Sequence, residues 1–344
     1  MFIKNISFLN VRKISQYNEN FLPETNIIIG PNGSGKTSIL EAICFLTTGK
    51  SFRKKHAQSI IKKGEKELQI QAKIINKEEK KLRLVYSGKK KQIYKNNKII
   101  KTTTSLLKET SLIYASPEEV DIIEEYRKEK QQYFDKIIFK INPEHIQNIK
   151  EYNKILLYRN ALLEQKMSTL PWDDKTIDLG IKVWKKRTAF FKEFIIKFNE
   201  TQKRIKTLQN YKIEYKKKEP TSAQNYKTEL KGDQKKTETG PHKDNIELYL
   251  DNEKIKEHGS QGEKKILKYI LKITEAELIK QTKKEKPIIL LDDFFSKLDN
   301  ENIMKIFSYF HCKFQVIITT TNTNDQALKN IRKNNKEIKI FNNK

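Results

Sequence analysis

The sequence predicts a mixed α/β fold: a sheet carrying a glycine-rich loop, an antiparallel β subdomain, and a compact helical lobe inserted between its parts. Three observations predict it. The β-branched run TNIII (25–29) ends in a glycine-rich loop that leads into helical spacing over 36–47. The aliphatic run IILL (288–291) ends in two aspartates. Between these, from about 115 to 235, the apolar period changes from that of strands to that of helices.

Taken in order, residues 2–9 alternate apolar and polar as a half-buried strand does, and 25–29 form a second strand. Residues 36–47 (KTSILEAICFLT) follow as a helix that Gly49 is placed to end. Residues 67–75 and 81–87 alternate again, as antiparallel strands with one wet face. Ser116-Pro117-Glu118-Glu119 has the form of a helix start, with a hydroxyl cap, proline at the first position and Glu119 at capping-box distance; Asn142-Pro143-Glu144 offers another. Ile146, Ile149, Leu156 and Leu163, then Ile177, Ile181, Trp184, Phe191, Phe194, Ile195 and Phe198, mark the packed stripe of a lobe of about four helices. Residues 215–238 hold almost nothing apolar and read as a loop or linker. Structure resumes with a strand at 245–250, a helix at 261–281, a strand at 287–291, a helix from about 300 and a strand at 314–318. The expected division is therefore 1–114 plus 236–344 for the α/β part and 115–235 for the helical lobe.

A chain of 344 residues can bury a sizeable core. Its net charge of +27 favours a polyanionic partner, nucleic acid first and an anionic membrane surface second, although many of its lysines fit a plain solvated surface as well. The two cysteines, Cys44 and Cys312, sit in apolar stretches without CxxC spacing, which excludes a disulfide scaffold and a zinc site and assigns both to the core. No apolar run approaches the roughly 18 residues of a membrane span, and the N-terminus lacks the apolar segment of a signal peptide, so the expected location is cytoplasmic.

The chemistry begins at Gly30-Pro31-Asn32-Gly33-Ser34-Gly35-Lys36-Thr37, a Walker A loop that runs into Ser38 and the following helix. Its glycines let successive backbone N–H groups face phosphates, to which the helix N-terminus adds partial positive charge. Lys36 reaches the β/γ-phosphates in this arrangement, and the Thr37 hydroxyl ligates Mg²⁺. The aliphatic strand before Asp292 and Asp293 would deliver Asp292 to the same metal and leave Asp293 as general base or water-positioning carboxylate. Two further segments fall in step. Gly259-Ser260-Gln261-Gly262-Glu263 precedes a long helix and resembles the ABC signature, in which Ser260 and the backbone amides of Gln261 and Gly262 would contact the γ-phosphate held by another subunit. Ser296-Lys297-Leu298-Asp299 stands where ABC-type ATPases have their D-loop. The order Walker A, signature, Walker B, D-loop specifies an ABC-type ATPase head, with each ATP shared between two protomers.

Further strings resemble the RecF family: NVRK (10–13), GPNGSGKTSILEAI (30–43), GKSFR (49–53), YASPEEV (114–120), YNKILLYRNALL (152–163), TGPHKDN (239–245), SQGEKK (260–265), LLDDFFSKLD (290–299) and VIITTT (316–321). They run in family order over nearly the whole chain, and some 220 residues between Thr37 and Ser260 leave room for a compact lobe rather than a long coiled coil. The resemblance implies ATP and Mg²⁺ as cofactors, Lys36, Asp293 and Ser260 in catalysis, Thr320 at the position of the ABC switch histidine, and Arg12 near the nucleotide base. It implies an ATP-held homodimer that binds DNA at single-strand/double-strand junctions, hydrolyses ATP slowly, and helps load RecA at gaps with RecO and RecR. Two departures stand out. EKQQYFD (129–135) occupies the place of an arginine cluster, and Glu263 replaces the usual glutamine. TGPHKDN matches without disclosing a role. The nucleotide-binding subunit of a membrane transporter is the alternative, which the charge, the helical insertion and the missing switch histidine disfavour; an overcoming-lysogenization-defect nuclease would need a further acidic domain.

Overall fold

The alternation over the first ninety residues produces a six-stranded antiparallel sheet. Its strands are β1 (Phe2–Val11), β2 (Ile14–Asn20), β4 (Leu68–Asn76), β5 (Glu78–Tyr86), β6 (Lys91–Lys95) and β7 (Lys98–Ile99), in the order β2-β1-β4-β5-β6-β7. Ile3, Ile6 and Phe8 of β1, Leu68, Ile70, Ala72 and Ile74 of β4, and Leu82 and Leu84 of β5 are buried on one face. Side-chain alternation therefore turns the intervening polar residues to the other face.

The second sheet is parallel. It contains β3 (Thr25–Ile29), β8 (Leu112–Ala115), β12 (Ile288–Leu291), β13 (Val316–Thr320) and the short β14 (Lys339–Ile340), in the order β14-β3-β13-β12-β8. Helix α1 (Lys36–Thr48) shares one core with both sheets: Ile39, Leu40, Ile43 and Leu46 are at most 3% exposed and pack in the same cluster as Ile28, Leu290 and Ile317. Each such aliphatic side chain contributes about 1.5–3 kcal/mol through burial. Gly49 ends α1 in the left-handed conformation (φ 70°), donating its N–H to Phe45. The short α2 (Thr103–Glu109) is capped by the Thr102 hydroxyl.

The structure, a computed structural model, describes residues 1–53, 57–117, 122–207, 209–296, 298–311, 313–321, 329, 331, 339 and 340. The chain divides into two units, Met1–Val120 with Lys203–Thr207 and Gln261–Lys344, and Asp121–Gln202 with Leu208–Ser260. Besides the two sheets, the first holds α8 (Gln261–Lys283) and α9 (Asn300–His311). Among the described residues no helix is long and apolar enough to cross a membrane.

The second unit contains α3 (Arg127–Ile141), α4 (Glu144–Glu164), α5 (Leu170–Ile205), α6 (Ala223–Lys231) and the single turn α7 (Ile255–His258); the last three residues of α5 fall in the first unit. A three-stranded sheet of β9 (Tyr211–Lys216), β10 (Asn245–Leu250) and β11 (Glu253–Lys254) completes it. The expected linker at 215–238 is instead structured. Its N-terminal end belongs to β9, and α6 buries Tyr226 and Leu230 against Ile177 and Trp184. Two apolar residues four apart on a nine-residue helix suffice there. Because β10 pairs with β9 along its whole length, the return to the first unit falls at 261 rather than at 236. The helix expected from Ser116 opens at Arg127; Glu118 and Glu119 lie outside the described residues, as does Cys312, while Cys44 is buried.

The same unit shows what TGPHKD does. Asp244 is fully buried and accepts from Trp184 Nε1 (2.9 Å), Arg187 (3.0 Å), the Tyr215 hydroxyl (2.6 Å) and the Lys218 N–H (2.9 Å). Arg187 also donates to the Pro241 carbonyl and to Asp135, which in turn meets His145. His242 joins Tyr152 and the Thr237 carbonyl, and Gln131 donates to the carbonyls of His242 and Asp244. Gly240, at φ 150°, lies where an added Cβ would collide with the Tyr152 hydroxyl. The motif is the polar hinge on which four elements of this unit are hung, and EKQQYFD supplies two of its partners, Gln131 and Asp135.

Candidate nucleotide-binding site

The C-terminal ends of the parallel strands bring four chain segments together in the first unit. After β3 the chain turns through Gly30 to Gly35 and enters α1 at Lys36. The Gly30 N–H donates to the Thr320 carbonyl (3.4 Å), fixing the start of the loop to the end of β13. Gly33 (φ 77°) and Gly35 (φ 100°) adopt left-handed backbone, and an added Cβ at Gly35 would stand 2.9 Å from Ile14 Cδ1. Pro31, Asn32 and Gly33 are exposed, whereas Lys36 and Ser38 are buried. Ser34 and Ser38 close the turn by donating backbone N–H groups to the carbonyls of Pro31 and Gly35.

Lys36 folds back over its own loop, Nζ donating to the carbonyls of Gly30 (2.7 Å) and Pro31 (2.8 Å). Burial lowers its pKa, opposed by the nearby Asp292 and Asp293 carboxylates. The ammonium is thus held by hydrogen bonds to loop carbonyls, with the two carboxylates acting on it through space, a situation in which an anionic oxygen competes well for its N–H groups.

Asp292 is the centre of the site. It follows β12, is 8% exposed, and donates its backbone N–H to the Ala115 carbonyl at the end of β8 (2.8 Å). Its Oδ1 accepts from Thr37 (3.0 Å) and Thr319 (2.5 Å), and its Oδ2 from Ser116 (3.4 Å). Burial pushes this carboxyl above its ordinary range, and the hydroxyls of Thr319 and Thr37 draw it back only in part. A threonine hydroxyl beside a carboxylate is the donor pair that suits Mg²⁺, which takes few protein oxygens and fills its remaining positions with water and phosphate. Among the described residues no cluster of three His, Cys, Asp or Glu could hold a metal ion.

Asp293 leaves the strand in left-handed backbone (φ 51°), its N–H donating to Thr319 Oγ1 (3.0 Å). This turn separates the two carboxylates: Asp292 faces Thr37, while Asp293 is only partly covered. Lys265 of α8 holds the turn from beyond it. Its Nζ meets the carbonyls of Asp293 (3.5 Å), Phe294 (3.2 Å) and Ser296, and the Ser296 hydroxyl (3.2 Å). Lys265 gives no sign in the sequence beyond its place on the helix after Ser260; only the fold shows that it reaches the D-loop position. Asp299 caps α9 through Asn302, and Lys297 lies outside the described residues.

The other expected site residues make different contacts. Arg12, in left-handed backbone (φ 56°), forms a bidentate pair with Glu41 of α1 (2.8 and 2.6 Å) and donates to the Ser59 carbonyl (2.7 Å). Glu41 is fully buried and also engages Ser51 and, at 3.9 Å, Arg53. Arg12 therefore braces the helix behind the loop instead of presenting its guanidinium to a base. Ser260 is the last residue of the second unit; Gln261 and Gly262 open α8, and open space surrounds the Cα of Gly262. Thr320 is buried beside Gly30, and its neighbour Thr319 makes the contacts to both aspartates.

Comparison with known proteins agrees with this geometry. The RecF/RecN/SMC N terminal domain family matches residues 2–343. The DNA replication and repair protein RecF of Lachnoclostridium phytofermentans is 31% identical, over 93% of both chains, and that of Carboxydothermus hydrogenoformans 32% identical, over 93% of this chain and 94% of its own. The solved structure of the recombination mediator protein RecF with ATP, of the RecFOR pathway, superposes with a TM-score of 0.82 at 26% identity, over 94% of each chain. An Smc head domain from Pyrococcus furiosus shares the fold at a TM-score of 0.52 and 15% identity.

Proposed function

This chain belongs to the RecF family of SMC-like ATPases, and from that premise we propose that it is an ATP-gated DNA clamp of recombinational repair. It binds ATP and takes part in DNA repair as an ATPase. The finer reading is that ATP holds two copies together around DNA at single-strand/double-strand junctions, that slow hydrolysis releases them, and that the clamp works with RecR and RecO in the cytoplasm to load RecA at gaps.

The observation that carries the reading is the cluster at Asp292, where Thr37 from the start of α1 and Thr319 and Ser116 from the ends of β13 and β8 converge beside the Walker A loop. In this reading the N–H groups of Gly33 to Thr37 cradle the phosphates, Lys36 exchanges its loop carbonyls for phosphate oxygens, and Ser38 extends the cradle into α1. Thr37 and Asp292 would hold Mg²⁺, which supplies charge neutralisation at the transferred phosphate. Asp293 orients water for attack, and the turn secured by Lys265 keeps its carboxylate out of the Asp292 pocket. Ser260, with the amides of Gln261 and Gly262, completes the site of a second copy. Thr320, lacking an ionisable side chain, contributes position rather than proton transfer. ATP binding favours the closed dimer and hydrolysis removes that preference, so the clamp follows the nucleotide.

ATP turnover measured against protein concentration, with and without gapped duplex, tests this. Turnover per protomer should rise with concentration and rise further with DNA. Turnover independent of both would leave an ATP-binding fold without a clamp. A Ser260→Arg protein that dimerises and hydrolyses ATP normally would remove the shared site.

A further inference from the structure

The chain's positive charge is unevenly distributed. Residues 50–109 contain 19 lysines and arginines against five glutamates, a net +14 out of the chain's +27. This stretch supplies β4 to β7 of the six-stranded sheet, and these strands hold seven of those cations, Lys73, Lys80, Lys81, Arg83, Lys91, Lys95 and Lys98. One face of that sheet is the core, and the pairing register fixes what the opposite face presents. Across its middle runs the row Asn18, Ser7, Gln71, Arg83, Tyr94, each residue directly opposite the next. Beside it lies the row Asn20, Asn5, Lys73, Lys81.

Three features of this face point outward to a ligand. Lys73 and Lys81 are cross-strand partners, and both are exposed. Like charges directly opposite each other disfavour a sheet, and among the described residues neither ammonium has an ion pair. Arg83, also exposed, lies over the Tyr94 ring at 4.8 Å. The one acidic side chain in these strands on this side, Glu79, stands at the far end and is paired with Lys4. Apart from Tyr94, the remaining positions of these two rows are amides and a hydroxyl, with Asn5 donating to Asn18 and Asn20 within the face.

We propose that this outer face of the six-stranded sheet is a nucleic-acid contact, with Lys73, Lys81 and Arg83 on backbone phosphates and the amide row completing the footprint. The inference rests on the reading of the chain as DNA-binding and assigns where the DNA lies. Six strands span about 24 Å at ordinary strand spacing, enough to support a duplex. Cations with amide donors on a flat polar surface position a phosphate backbone without reading bases. A lipid surface fits less well, because the exposed apolar residues Leu9 and Ile99 lie near the borders and the middle rows offer nothing to insert. The face is also joined to the nucleotide loop. Arg12, in the β1–β2 turn, grips Glu41 on α1, and α1 packs on the core side of the same sheet.

The test is binding of the full chain with ATP to a fluorescent 40-base-pair duplex, read by anisotropy across salt concentrations. The triple variant Lys73→Glu, Lys81→Glu, Arg83→Glu should lose at least tenfold in affinity. Its slope of log affinity against log salt should flatten by roughly 2.7, the value for three phosphate contacts. A matched reversal of Lys182, Lys185 and Lys192 on α5 controls for net charge alone. If the sheet variant misfolds by circular dichroism, the triple glutamine variant replaces it, with the same slope change expected. Equal losses in the sheet and helix variants, or sheet-variant affinity within twofold of the parent, would overturn the proposal. So would loss of binding to phosphatidylglycerol vesicles with duplex binding intact. A parent protein that binds no duplex with ATP would instead overturn the DNA-clamp reading itself.

Discussion

Replacing Lys265 by methionine keeps the length and apolar stem of the side chain and removes the charge that ties α8 to the turn after Asp293. The ammonium meets three backbone carbonyls and one hydroxyl of that turn, with the Asp293 and Phe294 carbonyls and the Ser296 hydroxyl at 3.2 to 3.5 Å and the Ser296 carbonyl as the fourth partner. Hydrogen bonds to a charged group contribute about 1.5–3 kcal/mol each, but long contacts sharing one donor do not add, so the whole set is assigned about 2–3 kcal/mol. Asp293 sits at φ 51°, a conformation costly for a side chain other than glycine, and the contacts of the turn are what hold it there. Losing 2–3 kcal/mol of that support lets the turn relax and lowers the population of the competent Asp293 geometry by about 30- to 150-fold. Lys36, Thr37 and Asp292 make no contact with Lys265, so nucleotide affinity should remain within about twofold while turnover falls by that factor. Equilibrium titration with a fluorescent ATP analogue and steady-state phosphate release separate the two quantities. Lys265→Arg, which keeps the charge, should recover most of the rate. Unchanged turnover in the methionine variant, or affinity that falls in step with it, would refute the assignment of Lys265 as a positioning residue.

Four other outcomes follow from the same structure. Gly35→Ala must hold alanine at φ 100° with its Cβ 2.9 Å from Ile14, so thermal unfolding should show a loss of about 1–3 kcal/mol, and ATP binding should be abolished. Arg12→Ala strands the buried Glu41 carboxylate and should cost about 2–3 kcal/mol in urea unfolding, with Glu41→Gln in the same background restoring part of it; a change in nucleotide affinity alone would return Arg12 to the base-contact role. Asp292→Asn should abolish turnover yet raise the stability of the nucleotide-free protein at pH 7. Burial raises the folded-state pKa of Asp292, so the aspartate costs stability as pH climbs above its unfolded value of 3.8, and the advantage of asparagine should vanish below that pH. Gly240→Ala should destabilise the helical unit by about 3 kcal/mol or more, seen as an earlier urea midpoint, because the new methyl displaces Tyr152 from His242.

The elements of the first unit were legible where one physical signal dominated. The strand at Thr25–Ile29, the loop, and the helix with its left-handed Gly49 announce themselves through β-branching, glycine and apolar spacing. Asp292 stood out only in company, since an aliphatic strand ending in two carboxylates is by itself an ordinary strand entering a turn, and the Walker A, signature and D-loop strings around it gave it a direction. What could not be read were meetings between distant segments. Ser116, which looks like a helix cap, donates to Asp292, 176 positions away. Arg12 looks like a free guanidinium after a strand until Glu41 appears opposite it as a fully buried carboxylate. Residues 215–238 are polar because α6 needs only Tyr226 and Leu230 to dock, so composition understated the order there.

The two adjacent threonines at the end of β13 show how the parallel sheet distributes roles that a local string leaves undivided. Strand alternation turns consecutive side chains to opposite faces. Thr319 thereby reaches across to Asp292 Oδ1 and to the Asp293 N–H, while the carbonyl of Thr320 receives the first N–H of the glycine loop. A single dipeptide thus ties the phosphate loop on one neighbouring strand to the Asp292 carboxylate and the Asp293 N–H on the other. A histidine at 320 would add a titratable ring at the loop's entrance, but the Asp292 carboxylate would still be set by Thr319. In this chain the hydroxyl next to the usual switch position fixes Asp292 and the Asp293 N–H, while the Lys265 ammonium holds the turn that follows. The part of the geometry that the neutral Thr319 hydroxyl sets does not depend on a group that titrates in the range where histidine does.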